Sequence, residues 1–192
     1  MTAVPKHKLT AAEYLEIERK AEFKSEFFDG EMFAMSGGTY RHSRLKTKLI
    51  AALDRRLAGK RCRPTDSDMR VRVSDTGLYT YPDASVVCGR PVFDDVQTDV
   101  LLNPTVIFEV LSESTASYDR GKKFWHYRHI PSLNDYVLVS QDEPVIDHYS
   151  RQTGGGWLLQ TVEGASGVLK LPSIECELPL VEIYADIEPP SE

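Results

Sequence analysis

The stretch TVIFEVLS, Thr105–Ser112, decides how this chain is read. Val106, Ile107, Phe108, Val110 and Leu111 form an almost continuous apolar run, the pattern of a strand buried on both faces. Glu109 stands in its middle. An ionised carboxylate in such a place costs several kcal/mol unless a cation or hydrogen-bond donors compensate it. The run therefore predicts a central strand and, elsewhere in the chain, a partner for its charge.

Working outward, YPDASVVCG, Tyr81–Gly89, reads as a second inner strand. Pro82 opens it, and Ala84 to Cys88 are apolar enough for a sheet centre. Asp83 repeats the context of Glu109, 26 positions earlier. If the two strands are neighbours, two carboxylates converge and repel, and they need a cation or a shared proton. A hard divalent ion such as Mg2+ suits oxygen ligands of this kind. The plainer alternative leaves either acid facing solvent at a strand end.

The hydroxyl-rich segment 112–117 is suited to cap a helix over 116–129, stopped by Pro131. Asp119, Lys123, Tyr127 and Ile130 fall on one side of it, which directs Lys123 inward with the apolar residues. Lys122 shares the other face with His126 and His129, all three expected in solvent. The ordinary alternative for Lys123 is a surface pair with Asp119, worth a few tenths of a kcal/mol. The His126/His129 spacing resembles a metal pair, but no third ligand lies nearby in sequence.

Before these elements, Thr10 and Glu13 form a capping box for a helix from Ala11 to about Lys20. Asp29-Gly30 between aromatic runs predicts a hairpin, with Glu26 near the end of its first strand. Leu45, Leu49, Leu53 and Leu57 predict a helix over 40–58, ended at Gly59. His42 lies one turn before that stripe, as a site residue or a hydrogen-bonded boundary residue; Glu26 is a site residue or an exposed strand residue. MRVRVS, 69–74, reads as a strand and 90–104 as an exposed loop. Late hairpins are expected between DYVLVS and VIDHYS, and between WLLQTV and VLKL. Residues 185–192 are expected to be a disordered tail. The order of elements suggests one α/β or α+β domain over residues 1–192, built on one mixed sheet.

The chain has 192 residues and a formal net charge of −6. No apolar run approaches the roughly 20 residues that span a bilayer, and no apolar signal core opens the chain, so a cytoplasmic location is expected. Cys62, Cys88 and Cys176 are expected to be reduced core thiols. Residues 41–72 hold eleven Lys/Arg against three acids. That basic segment is either an electrostatic footprint for phosphates or a set of ordinary solvated faces. Arg41, His42, Arg44 and Lys48 are its candidate nucleic-acid contacts. No P-loop, dinucleotide-binding glycine motif or G-x-S-x-G elbow is present, so no nucleotide cofactor is expected.

YPDASVV, FEVLSESTASYDRGKKFWHY and IPSLNDYVLV, with KSEFFDGEMFAMSGGTYRHSRL before them, closely resemble the Uma-type family of restriction-endonuclease-like proteins in the PD-(D/E)XK nuclease superfamily. The resemblance covers about Leu9 to Tyr184. It implies a restriction endonuclease-like α/β (α+β) fold, a mixed central sheet flanked by helices with additional hairpins. It also implies an endonuclease that hydrolyses DNA with Mg2+ or Mn2+. Pro82-Asp83 matches the first motif and Glu109 the second acid. Leu111 stands where the plain motif has lysine, and Lys123 is the matching position supplied from the following helix. Glu26 resembles the acid contributed from the N-terminal part. Asp83 and Glu109 are thus the expected metal ligands, with Lys123 and Glu26 catalytic beside them and Asp119 supporting the helix. A homodimer suits the cutting of two strands. The competing readings are a non-catalytic nucleic-acid-binding module and a homo-oligomeric interaction module on the same scaffold.

Overall fold

The computed structural model describes residues 8–187. Helix α1, Ala11–Glu18, starts at the expected capping box, in which Thr10 accepts from the Glu13 N–H. Strands β1, Ser25–Phe28, and β2, Glu31–Ala34, form the predicted hairpin. Asp29 and Gly30 both have positive φ, 49° and 81°, as a tight two-residue turn requires. Helix α2, Tyr40–Leu57, buries Leu45, Leu49, Leu53 and Leu57. Strands β3, Cys62–Asp66, and β5, Leu78–Thr80, bracket β4, Arg70–Val73. The sequence reading missed β3 and β5: one carries a proline and charges, the other is three residues long. β3 is an edge strand, the position where Pro64 costs no ladder hydrogen bond.

Strand β6, Ala84–Cys88, and strand β8, Val106–Val110, are inner strands as predicted. Between them β7, Val100–Leu101, is fully buried, so the supposed loop contributes to the core. Strands β9, Asp135–Val139, β10, Val145–Arg151, and β11, Trp157–Glu163, are consecutive antiparallel neighbours. The second late hairpin is corrected here. WLLQTV pairs with VIDHYS, whereas VLKL, as β12 Val168–Leu171, pairs with β13, Cys176–Pro179. The final helix is Leu180–Tyr184. Of the expected tail, residues 188–192 lie outside the described residues. Residues 185–187 are ordered against the body: Asp186 pairs with Lys48 at 3.2 Å and the Ile187 N–H donates to Tyr184 O.

The strands divide into a six-stranded sheet, β11-β10-β9-β8-β6-β3, a five-stranded sheet, β2-β1-β5-β4-β7, and the β12-β13 pair, rather than one sheet. The mixed α+β class holds. β8 runs parallel to β9 and antiparallel to β6. Alternation along β8 sends Val106, Phe108 and Val110 into the core beneath α2, and Ile107 and Leu111 into a second core. By the same parity Glu109 faces that second side.

Across it lies helix α3, formed by consecutive α, π and α segments, Ala116–Tyr118, Asp119–Lys123 and Phe124–Tyr127. The wider turn holds both Asp119 and Lys123 buried, and the Tyr136 hydroxyl donates to Asp119 O at 3.0 Å. His126 is buried rather than solvated, which corrects the expectation for the outer face. The cysteine expectation is also corrected. Cys62 and Cys88 sit opposite one another on β3 and β6 and are joined by a disulfide; Cys176 alone is free and buried. The error was to judge the cysteines by their separation along the chain, which antiparallel pairing cancels. Among the described residues no helix is long and apolar enough to cross a membrane.

Candidate active site

The antiparallel register of β6 and β8 sets the site. Ala84 lies opposite Phe108, so one step further Asp83, just before β6, comes beside Glu109. The Asp83 N–H donates to Glu109 Oε2 at 3.3 Å, and Asp83 Oδ2 accepts from the Val110 N–H at 2.8 Å. The two carboxylates therefore share one end of one strand pair.

Lys123 comes down from α3 onto Glu109, with its Nζ 2.8 Å from Oε1. It also lies 3.4 Å from Glu26 Oε1 and 3.6 Å from Asp119 Oδ1. Lys123 is 6% exposed and Glu109 4%, so the surface-pair alternative for Lys123 does not describe it. Tyr127 donates its hydroxyl proton to Glu109 Oε1 at 2.8 Å. Glu26 accepts from the Tyr118 hydroxyl at 3.3 Å and from the Thr80 hydroxyl. His42, in the first turn of α2, places Nε2 3.0 Å from Asp83 Oδ1. Lys46, one turn further on, lies 4.0 Å from the same oxygen.

These groups open on a cleft of about 300 Å³, lined by Glu26, His42, Asp83, Glu109, Asp119 and Lys123 among others. Its electrostatics are uneven. Burial pushes the Glu109 carboxyl up to about 8, with the negative charges of Asp119 and Asp83 adding to the rise and Lys123 opposing it. Burial also works to raise Asp83, but the His42 hydrogen bond, the Val110 N–H and the Lys123 charge outweigh it and hold the carboxyl below its usual range. Asp119 is raised by burial against the pull of Lys123. Burial would lower the Lys123 ammonium, yet Glu109, Glu26 and Asp119 hold it well above its usual value. Two adjacent carboxyls pushed in opposite directions are a recurrent property of catalytic pairs.

The excess of carboxylate over ammonium is a demand for further positive charge. The oxygens available are hard donors, which suit Mg2+ or Mn2+, and two carboxylates suffice for an ion that keeps several waters. Among the described residues no group of three or more His, Cys, Asp or Glu is disposed to hold a metal.

The structure brings Asp83, Glu109, Lys123, Glu26, Asp119 and His42 together. It does not bring the other basic candidates into the cleft. Arg41 donates to Gln141 O and Asp142 O, and Lys48 pairs with Asp186. Neither these two nor Arg44 lines the cleft. Much of the basic segment is engaged within the chain: Arg55 and Arg56 with Glu182, Arg70 with Asp99, Arg72 with Asp94. The sequence reading missed Lys46, Tyr118 and Tyr127. Lys46 could have been found at i+4 from His42 on the same helix. Tyr127 had been seen only as an apolar filler on the Lys123 face.

Known proteins resemble this chain in sequence and in fold. The uncharacterized protein slr1290 of Synechocystis is 38% identical over 182 residues, covering 95% of this chain and 94% of that one. The uncharacterized protein sll1609 of the same organism is 36% identical over 162 residues, covering 84% and 92%. The crystal structure of a "putative nuclease belonging to DUF820" from Anabaena variabilis superposes with a TM-score of 0.75 at 18% identity, covering 92% of this chain and 98% of that one. At that identity the likeness is one of fold. Residues 11–180 match the Uma2 family, described as "Putative restriction endonuclease", and the chain belongs to that family.

Proposed function

We propose that this protein is a metal-dependent nuclease that hydrolyses phosphodiester bonds of DNA. One observation carries the reading: Asp83 and Glu109, from two antiparallel strands, meet Lys123 in one cleft of a chain that belongs to a family described as above. Asp83 and Glu109 would hold Mg2+ or Mn2+, which when bound supplies positive charge at the phosphate and a more acidic water.

The chain's own residues do the rest. Lys123, kept charged by three carboxylates, donates N–H bonds toward oxygens that gain charge in the transition state. Tyr127 and Lys123 together fix the rotamer of Glu109 through one oxygen. His42 does the same for Asp83. Glu26, locked by Thr80 and Tyr118, holds Lys123 from the far side and is placed to orient a water. Lys46, one turn into α2, offers positive charge beside the phosphate path.

A homodimer would supply two such sites for two strands. β11 is one of the two edges of the six-stranded sheet, with Leu158 and Leu159 about half exposed, and would be the edge that pairs. The protein would act in the cytoplasm. The Cys62–Cys88 bond counts against it, since such bonds are uncommon in reducing compartments.

The test is a panel of Mg2+ and Mn2+ against single-stranded, duplex and branched DNA, run beside Glu109→Ala. Cleavage that requires the ion and is lost in the variant is expected. Cleavage that survives both EDTA and Asp83→Ala would refute the assignment. A non-catalytic binding module on the same scaffold is the second reading, favoured by the net charge of −6 and by Leu111 standing where the plain motif has lysine. Its signature is DNA retention without ion binding.

A further inference from the structure

Beside the carboxylate cleft lies a second cavity that the proposed chemistry leaves unused. It measures about 210 Å³ and is lined by Phe28, Phe33, Leu78, Tyr118, Lys122 and His126. Glu26, Phe33 and Tyr118 line both spaces, so the two share a wall. Ligand pockets for drug-sized molecules run from roughly 300 to 1,000 Å³; this one is smaller and suits a single planar ring system.

Its walls are aromatic and fixed. The Phe28 and His126 rings meet edge to face, with centroids 4.6 Å apart. His126 is held by Nδ1, 2.9 Å from the Thr76 hydroxyl. Burial, with Lys122 and His129 nearby, keeps the imidazole below its usual pKa and so neutral at pH 7. Phe33 is 49% exposed at the mouth. Lys122 sits over the Phe28 ring with Nζ 5.4 Å from its centroid, and its exposed ammonium stands at the rim. The cavity thus combines an aromatic floor, a neutral imidazole, the Glu26 carboxylate in the wall it shares with the cleft, and one cation at its edge. A nucleobase stacks on such rings, and its own phosphate meets such a cation.

Resting on the nuclease reading, we propose that this pocket receives an unpaired base of the strand whose phosphodiester lies in the carboxylate cleft, so that the protein prefers single-stranded over duplex DNA. The shared wall of Glu26, Phe33 and Tyr118 sets the two spaces side by side, so that base and phosphate of neighbouring nucleotides are within reach of one another. A paired base would first have to leave its stack, a cost that a single strand avoids.

The experiment measures fluorescence anisotropy of the full chain, in EDTA and in Ca2+, with three probes of equal length: oligothymidylate, a fully abasic deoxyribose-phosphate strand, and a duplex. Oligothymidylate is expected to bind about tenfold tighter than either other probe, the size of one base–aromatic stack. Phe33→Ala should abolish that difference, and Phe33→Trp should keep it. Equal affinity for the abasic strand, or a loss in Phe33→Ala shared by all three probes, overturns the pocket. Ion-dependent cleavage together with base-indifferent binding would overturn the pocket alone. Retention of no DNA form would overturn the pocket and the nuclease reading together.

Discussion

Lys123 Nζ and Glu109 Oε1 lie 2.8 Å apart although they belong to different elements, a helix with a π turn and the central strand of the larger sheet. Both side chains are almost wholly removed from solvent, at 7% and 5% exposure. This contact answers the question raised by the lone acid in TVIFEVLS. It also ties the candidate chemistry to the stability of the fold.

Removing the ammonium should therefore cost folding free energy as well as any activity. Lys123→Met leaves Glu109, Glu26 and Asp119 facing one another without a cation. About 3 kcal/mol of destabilisation is expected at pH 8, the usual size for stranding one half of a buried pair. Urea denaturation should show a lower midpoint with an unchanged slope. As pH falls below about 8 the deficit should shrink, because Glu109, raised to about 8 even with Lys123 beside it, takes up a proton instead.

Divalent-ion binding should be linked to the Glu109 proton. Its carboxyl is raised from 4.5 to about 8, so folding without an ion takes up a proton between those values. The sign follows: this contribution to stability is full below about pH 4.5 and is lost as pH rises through about 8. An ion competes with that proton, so its stabilising effect grows in the opposite direction. Thermal melts should show a larger Mg2+-induced rise in Tm at about pH 8.5 than at about pH 6. Glu109→Gln should abolish the ion effect at both.

At Asp83, chemistry and packing are separable. Asp83→Asn keeps an oxygen to accept from the Val110 N–H, whereas Asp83→Ala leaves that donor without its partner. Both should weaken Mn2+ binding by at least about tenfold, since a neutral amide is a poor ligand for a hard ion. Only the alanine variant should lose a further 1–3 kcal/mol or so of stability. Mn2+ titration followed by electron paramagnetic resonance, beside chemical denaturation, distinguishes the two.

The Cys62–Cys88 bond closes a loop with a sequence separation of 26. Reduction with dithiothreitol, or the double Cys→Ser change, should lower unfolding free energy by about 3 kcal/mol. A mass measurement under non-reducing alkylation checks the bond itself. Three alkylated thiols on the freshly isolated protein would show that it does not form there.

Much of this architecture was legible because it rests on local rules. The capping box at Thr10, the Asp29-Gly30 turn and the leucine stripe of α2 each state their own conformation within a few residues. Strands β3 and β5 were hidden for the same reason. CRPTD and LYT have no period of their own, and they are strands because a neighbour offers them a ladder. The second late hairpin was misassigned because strand adjacency in sequence was taken for adjacency in space, whereas VLKL pairs forward with CELP.

The candidate site divides along the same line. Sequence alone determined that Glu109 needed a partner, that Asp83 shared its setting, and that Lys123 lay on the inward face of its helix. Those conclusions follow from the cost of burying charge and from side-chain periodicity, both properties of short segments. Tertiary structure alone decided that Asp83 stands opposite Glu109, that Tyr127 and Glu26 close around Lys123, and that an aromatic pocket adjoins the cleft. It also turned Lys48, Arg55, Arg56, Arg70 and Arg72 of the basic segment toward acids of its own chain. Register and packing are relations between distant segments, and no residue carries them by itself.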